Sequence, residues 1–403
     1  MISVAVIGGG ASGMMAALEA ASRGAAVSVF ERQARVGRKL AVTGNGRCNL
    51  TNLSASAERY HGGDPTFVLP ALKRYGVSET LRRFRELGMV TATQPDGRVY
   101  PLSDTAGSVV DVLRYAMESA GVKLNAGCEV GSVKRNPSGF RITLAEGEAQ
   151  ADRVIVACGG AAGGRFGGTS SGYQLLKSLG HSCTDLRCSL VQLRSDNEFC
   201  RSLKGIRADA ALRLMESGRC LAETAGEVQF TDYGLSGPAV FEISRAALEQ
   251  PGRAVSLDLL RDVDEDALIG MLLRRASETP QLTLGDAFLG TVQNRIGKVL
   301  VNAAGLRPSA PITALDEAAA RSLAHIAKHF VFRITGDLGM DNAQVTAGGV
   351  FVSEFDPNTM ESRLCPWLYA CGEVLDVDGD CGGYNLQWAW SSGRLAGASA
   401  AGG

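Results

Sequence analysis

Residues 3–13 read SVAVIGGGASG, an apolar strand pattern that runs straight into Gly8-x-Gly10-x-x-Gly13. A β-branched strand, that glycine spacing and a small-residue helical run together describe one arrangement. It is a βαβ unit whose helix N-terminus receives the pyrophosphate of a dinucleotide. Gly8 permits the tight turn, Gly10 lets the backbone approach the phosphates, and Gly13 lets the helix pack on the strand, with Ala11 and Ser12 completing the loop. The pattern predicts a helix over 11–23, a stop at Gly24 and a second strand over 26–31. Glu31 closes that strand, where a carboxylate accepts hydrogen bonds from the adenosine ribose hydroxyls and disfavours a 2′-phosphate. The neighbouring Arg32 is a candidate for the phosphates.

The far end of the chain supplies a second half to this site. The strand LYACG (368–372) runs into Gly372-Glu373-Val374-Leu375-Asp376, and Gly382-Gly383-Tyr384-Asn385-Leu386 follows. Glu373 reads as an acid at the ribityl or phosphate region of a flavin. A helix starting near Tyr384 and Asn385, with Leu386 behind them, aims its positive end at the pyrimidine ring and favours negative charge at N1/O2 of the reduced flavin. A nicotinamide-only domain needs no such second element. The pairing points to FAD as a tightly bound, non-covalent cofactor.

At 403 residues the chain calls for more than one core, and its formal net charge of −1 gives no global field for nucleic acid or an anionic membrane. The first strand begins at once with no basic leader, and no window of about 18 apolar residues occurs. The ten cysteines contain no C-x-x-C pair and read as reduced thiols. A cytoplasmic protein is expected. Residues 66–90 carry one helical pattern and 109–119 another. Short strands are expected over 122–125, 129–136 and 140–145. Residues 152–158 (DRVIVAC) form an apolar run ending in Cys158-Gly159-Gly160, as a central parallel strand delivering a loop to the cofactor would. Residues 186–260 alternate, residues 262–329 are helical in period, and strand signals return at 331–335 and 344–352. The fold class is α/β. A discontinuous Rossmann-type FAD domain (1–186 and 345–403) is interrupted by a β unit (187–261 and 330–344), which carries a helical subdomain (262–329).

Several longer segments carry a family resemblance. VTGNGRCNLTN (42–52), the run from VIVACGG to KSLGH (154–181), YGLSGPAV (233–240), QVTAGGV (344–350), TMESRL (359–364) and GEVLDVDGDCGGYNLQWAWSSGRLAG (372–397) together resemble the BaiN/RdsA family of FAD-dependent oxidoreductases. The resemblance spans nearly the whole chain. It implies a glutathione-reductase-like FAD fold whose insertion is a β-barrel with a helical unit. It also implies FAD contacts at Ala11, Glu31, Arg38, Lys39, Val130 and Glu373, with Val130 acting through its backbone beside the adenine. Cys158, Cys371 and Cys381 stand where the family pattern has threonine or alanine, and CSLVQL (188–193) lacks the prolines usual there.

Flavin supplies hydride chemistry, so the protein's task is positioning and proton delivery. The polar turn 44–49 is expected to pass near the isoalloxazine, with Asn49 lining it. Arg47 is a candidate for a carbonyl or phosphate oxygen of the substrate. Cys48 is either a proton donor opposite the hydride or buried filler, and Tyr384 is either the competing donor or a capping and stacking residue. His325 and His329 lie one helical turn apart, but no third ligand accompanies them in the sequence, so no metal is expected. A single dinucleotide motif leaves NAD(P)H, NADH by family likeness, as a transient reductant.

Family members act on uracil in large-subunit ribosomal RNA, on bile-acid intermediates or on small amines. The leading expectation is uridine reduction to dihydrouridine in 23S ribosomal RNA, docked through Arg32, Arg35, Arg38, Lys39 and Arg47 and through Lys73, Arg74, Arg82, Arg83 and Arg85. The alternatives are the same machinery on a small enone or amine, and a flavin-binding redox sensor without turnover.

Overall fold

The computed structural model describes residues 1–402 and divides into two compact units, residues 1–189 with 340–402 and residues 190–339. The first unit is built on a five-stranded sheet, all parallel. Its centre is β1 (Ser3–Ile7), flanked by β2 (Ala26–Glu31) and by the strand Arg153–Val156; Lys123–Ala126 and Leu368–Ala370 form the edges. Val4, Val6, Val29, Val154, Ile155 and Val156 are buried, as expected for parallel strands covered on both faces.

Helix α1 (Ala11–Ser22) follows β1, and its residues 12–20 are buried. It is buried on both sides because the C-terminal helix, Tyr384–Ala400, lies across it. Small residues make that crossing. A Cβ on Gly393 would stand 2.5 Å from the Ser12 carbonyl oxygen, and one on Gly397 would stand 2.3 Å from that of Ala16. A buried ion pair, Arg394 Nε to Glu19 Oε2 at 3.0 Å, ties the same two helices, with the guanidinium 4.2 Å from the Tyr75 ring centroid. Gln387 sits wholly buried and satisfied. It accepts from Thr51 Oγ1 (2.6 Å) and donates to Thr80 Oγ1 (2.9 Å).

The helical pattern over 66–90 is two helices, Leu69–Tyr75 and Val77–Glu86. Gly76 adopts extended backbone between them, and a Cβ there would lie 2.5 Å from the Leu72 carbonyl oxygen. Periodicity alone does not register a one-residue break that leaves the apolar stripe intact.

The second unit is a closed barrel. Its strands run in the order Leu193–Ser195, Gly234–Ser236, Arg219–Phe230, Arg207–Glu216, Ala254–Asp258 and Phe330–Asp337, the last pairing back with the first. The fold is therefore a Rossmann-type α/β domain, discontinuous in sequence, with an inserted β-barrel that carries helices. Leu212, Leu214, Phe230, Val255, Leu257 and Phe332 fill its core. Within this β segment the chain also forms a helix, Pro238–Ala247, which the alternation did not suggest. Pro238 stands at its first turn, where a missing N–H costs nothing, and Ala239, Val240 and Ile243 bury its inner face. Three helices, Glu265–Glu278, Asn294–Ala303 and Glu317–Lys328, fall between the last two barrel strands.

Candidate functional site

At the end of β1, Gly8 has φ +108°, and its amide donates to the Phe30 carbonyl at 2.8 Å. A Cβ there would lie 2.4 Å from the Ala157 carbonyl oxygen, so the turn is glycine by necessity. Gly13 is more constrained still, since its Cβ would lie 1.9 Å from the Gly8 carbonyl oxygen. Gly10 differs from both. It is the N-cap of α1, no side chain caps the helix, and a Cβ on it would meet nothing within 4 Å. Ala11, Ser12 and Gly13 follow it in the first turn, where amides have no intrahelical acceptor. Space over an uncapped helix start is what a pyrophosphate requires.

Glu31 holds the adjoining loops by both carboxylate oxygens. Oε2 accepts from the Gly9 amide and Oε1 from the Gln33 amide, each at 2.7 Å. Its backbone carbonyl accepts from Cys128 N at 2.8 Å, bringing the chain that leads to Val130 alongside. Val130 is buried and opens the strand Val130–Asn136 at a register irregularity, placed beside the Glu31 loop. Arg32 donates to the Gly167 carbonyl at 3.0 Å. Arg38 donates to Gln33 Oε1 at 2.6 Å and to the Arg165 carbonyl at 3.1 Å.

The two ends of the chain meet at Lys39 and Glu373. The ammonium donates to Oε2 at 2.7 Å and to Oε1 at 3.0 Å, and Oε1 also accepts from the Thr346 amide at 2.9 Å. Gly160 is glycine because a Cβ would lie 2.4 Å from Glu373 Oε1. Gly159, with φ +73°, leaves open space where its side chain would be. Cys158 sits between the Gly8 turn and this loop; burial, then the Glu31 charge, pushes its thiol up to about 12. Gly372 has φ +76°; its amide donates to Ser392 Oγ at 3.0 Å and its carbonyl accepts from Trp388 Nε1 at 3.2 Å. A Cβ there would lie 2.5 Å from Ser12 Oγ, which puts the Glu373 turn directly against the α1 start.

The C-terminal helix also begins at a glycine. Gly383, φ +102°, is its N-cap and brings no side-chain cap. A Cβ would lie 2.7 Å from the Thr51 carbonyl and 2.9 Å from Asn49 Oδ1. Asn49 is buried, and its Oδ1 has no hydrogen-bond partner, so a polar acceptor is left waiting beside this helix start. Asn385 turns its amide back on the preceding loop, donating to the Gly379 carbonyl at 2.7 Å and accepting from the Gly379 amide at 2.8 Å. Leu386 packs against the main core beside it. Tyr384 is buried, its ring edge-on to Tyr60 at 6.4 Å, with the Arg59 guanidinium 5.7 Å from its centroid.

Arg47 is paired outward. Its Nε lies 2.5 Å from Asp104 Oδ1, and its guanidinium stacks 4.3 Å over the Tyr100 ring. Cys48 has no exposed surface and φ +61°; burial pushes its thiol up to about 12. That setting favours the packing role over the donor role. Three groups escaped sequence reasoning here: Thr346, Asp104 and the Arg59–His61–Asp380 cluster beside Tyr384. In the last, His61 Nε2 lies 2.7 Å from Asp380 Oδ1. None carries a spacing signal: the partners of Arg47, Arg59 and His61 lie more than fifty residues away, and the Thr346 amide reaches Glu373 across 27 residues.

The described cysteines form no disulfide. No described helix is long and apolar enough to cross a membrane. In the second unit the pair His325 and His329 has a third ligand-type neighbour, Glu265, which lies sixty residues upstream in sequence.

Comparison with known proteins agrees with this geometry. The family model described as HI0933-like protein Rossmann domain matches residues 2–399. The chain belongs to the HI0933-like family. A 3-dehydro-bile acid delta(4,6)-reductase of Clostridium scindens is 39% identical, covering 100% of this chain and 99% of the relative. A ribosomal RNA dihydrouridine synthase of Haemophilus influenzae is 31% identical over 96% of this chain and 95% of the relative. Among solved structures, a 3-ketosteroid delta1-dehydrogenase from Sterolibacterium denitrificans aligns over 100% of both chains at TM-score 0.50 and 14% identity, a likeness of fold. The HI0933-like chain is an oxidoreductase. The residues around Gly10, Glu31 and Gly383 fit a flavin dinucleotide: an open helix start, a strand-end carboxylate and an unsatisfied buried acceptor at the second helix.

Proposed function

We propose that this enzyme binds FAD between the starts of α1 and of the C-terminal helix, accepts hydride from NADH, and reduces a carbon–carbon double bond conjugated to a carbonyl in a small acceptor. The observation that carries the reading is a pair of glycine-opened helix starts, α1 at Gly10 and the C-terminal helix at Gly383, with the Lys39–Glu373 ion pair joining the two ends of the sequence beside the first. FAD bound there would supply the hydride chemistry. Glu31 holds the ribose end, the α1 start and Lys39 the phosphates, and the Tyr384–Leu386 turn the pyrimidine edge. Arg47, partly exposed beside Tyr100, would polarise a carbonyl oxygen of the acceptor. Of the two donor candidates, Tyr384 at the helix start gives the proton to the α-carbon in this reading, since Cys48 has no exposed surface.

Both relatives bear names of double-bond reductions, one on a bile acid and one on RNA. The choice of a small acceptor rests on the basic side chains. Arg32 and Arg38 donate to backbone carbonyls of the loop at 165–167, and Arg82 pairs with Glu79 and Glu86. An RNA-docking surface needs such cations turned outward to phosphates.

The test is anaerobic. Full-length protein whose flavin has been bleached by NADH is mixed with a steroid 4-en-3-one or with a 23S ribosomal RNA transcript. Return of the oxidised flavin spectrum with the enone supports the proposal. A two-mass-unit gain on one uridine, with the enone inert, would replace it by the RNA reading. A flavin that stays reduced with both would leave the redox-sensor reading.

A further inference from the structure

We propose that Glu265, His325 and His329 form a binding site for one borderline divalent metal ion of the zinc type, at the junction of two helices in the second unit. Glu265 is the first residue of the helix Glu265–Glu278, and His325 lies in the last turn of Glu317–Lys328, with His329 as its C-cap. These two helices pack side by side, so the start of one meets the end of the other.

Geometry carries the assignment. One ligand atom from each of the three residues can be chosen so that all lie within 4.8 Å of one another. His325 Nδ1 and Glu265 Oε1 are 3.5 Å apart. Zinc–nitrogen and zinc–oxygen bonds of about 2.0–2.2 Å set the edge of a coordination tetrahedron at roughly 3.3–3.6 Å, so this pair already spans one edge. The imidazole centroids are 4.7 Å apart, and the i,i+4 spacing puts both rings on one helix face.

The donor set selects the ion. Two imidazoles and one carboxylate suit zinc, cobalt, nickel or copper in preference to magnesium or calcium. Three protein ligands leave a fourth position for water, and His325, which is exposed, leaves that position open to solvent. The site uses none of the residues placed around the flavin. Metal bound there clips the two helices together and stabilises the folded state in proportion to its occupancy.

The experiment uses the tag-free, flavin-loaded, full-length protein. Cobalt(II) is titrated and followed by its visible d–d bands, then displaced with zinc. The same titration is run on His325→Ala, His329→Ala and Glu265→Gln. We expect one cobalt per chain with nitrogen and oxygen ligation, displaced by zinc. Each histidine variant should bind at least 10-fold more weakly, with flavin content unchanged and the zinc-induced rise in Tm lost. The exposed Cys220 is the competing ligand, and a thiolate-to-cobalt charge-transfer band would reveal it. Absence of binding below millimolar metal, thiolate ligation, or equal affinity in the histidine variants would overturn the site.

Discussion

Two helices of the second unit and two of the first start in opposite ways. In the second unit Asp264 caps its helix by accepting from the Ala267 amide at 2.7 Å, and Asp316 does the same with Ala319 at 2.8 Å. In the first unit α1 and the C-terminal helix open on Gly10 and Gly383, with no side chain on the exposed amides. A capped helix has satisfied its own terminus and needs no ligand. A glycine-opened one keeps amides and dipole for something that is not protein. The helices Val77–Glu86 and Pro238–Ala247 also open on an uncapped glycine, so it is the open space over Gly10 and the unpartnered Asn49 Oδ1 beside Gly383 that mark the two starts suited to a cofactor.

Gly13→Ala tests the packing half of this contrast and should have the largest effect. Its Cβ would fall 1.9 Å from the Gly8 carbonyl, so the helix must shift off the strand. We expect a loss of roughly 3 kcal/mol or more, read as a fall in denaturant midpoint. A midpoint within error of wild type would break the packing account of α1.

Glu31→Ala removes the acceptor of the Gly9 and Gln33 amides. FAD affinity should fall about 10- to 100-fold, or ~1.4–2.8 kcal/mol, measured by flavin fluorescence on refolding with cofactor. Unchanged affinity would move the ribose elsewhere.

The buried thiols sharpen the comparison through pH. Cys48 and Cys371 are both raised from an ordinary 9.0 to about 12 by burial. The folded chain therefore holds protons that the unfolded chain has released between those values. Stability is full below pH 9 and falls as pH rises towards 12, by about 1.4 kcal/mol per pH unit for each such thiol. Thermal melts between pH 8 and 11 check this, and Cys48→Ala should flatten the slope.

Asp264→Ala should have the smallest effect. Loss of one cap costs about 1 kcal/mol, with flavin content untouched. A loss of flavin in this variant would erase the distinction between the two kinds of helix start.

Much of the first unit was legible in the sequence because its signals are local. The strand, the glycine spacing and Glu31 lie within thirty residues and dictate one another through backbone geometry. The same holds for the apolar run ending at Cys158. The acid at Glu373 and the glycine-opened second helix could be read, but not that Lys39 would be the partner of Glu373, since ion pairing across the whole chain leaves no spacing. The internal partners of the basic clusters were not legible for a related reason. Charge counted along a segment does not show that Arg32 and Arg38 turn to backbone carbonyls of the loop near residue 166. Gly76 and the helix Pro238–Ala247 were missed because each is a short exception inside a longer pattern. Glu265 joined His325 and His329 only once two helices were packed.

The most direct test of the central claim is Gly10→Val. Its side chain would enter open space at the α1 start, so the fold has room for it and the pyrophosphate does not. The account predicts a variant with native circular dichroism and wild-type melting of the apo form, purified colourless beside a yellow wild type. A folded Gly10→Val protein carrying one FAD per chain would contradict it.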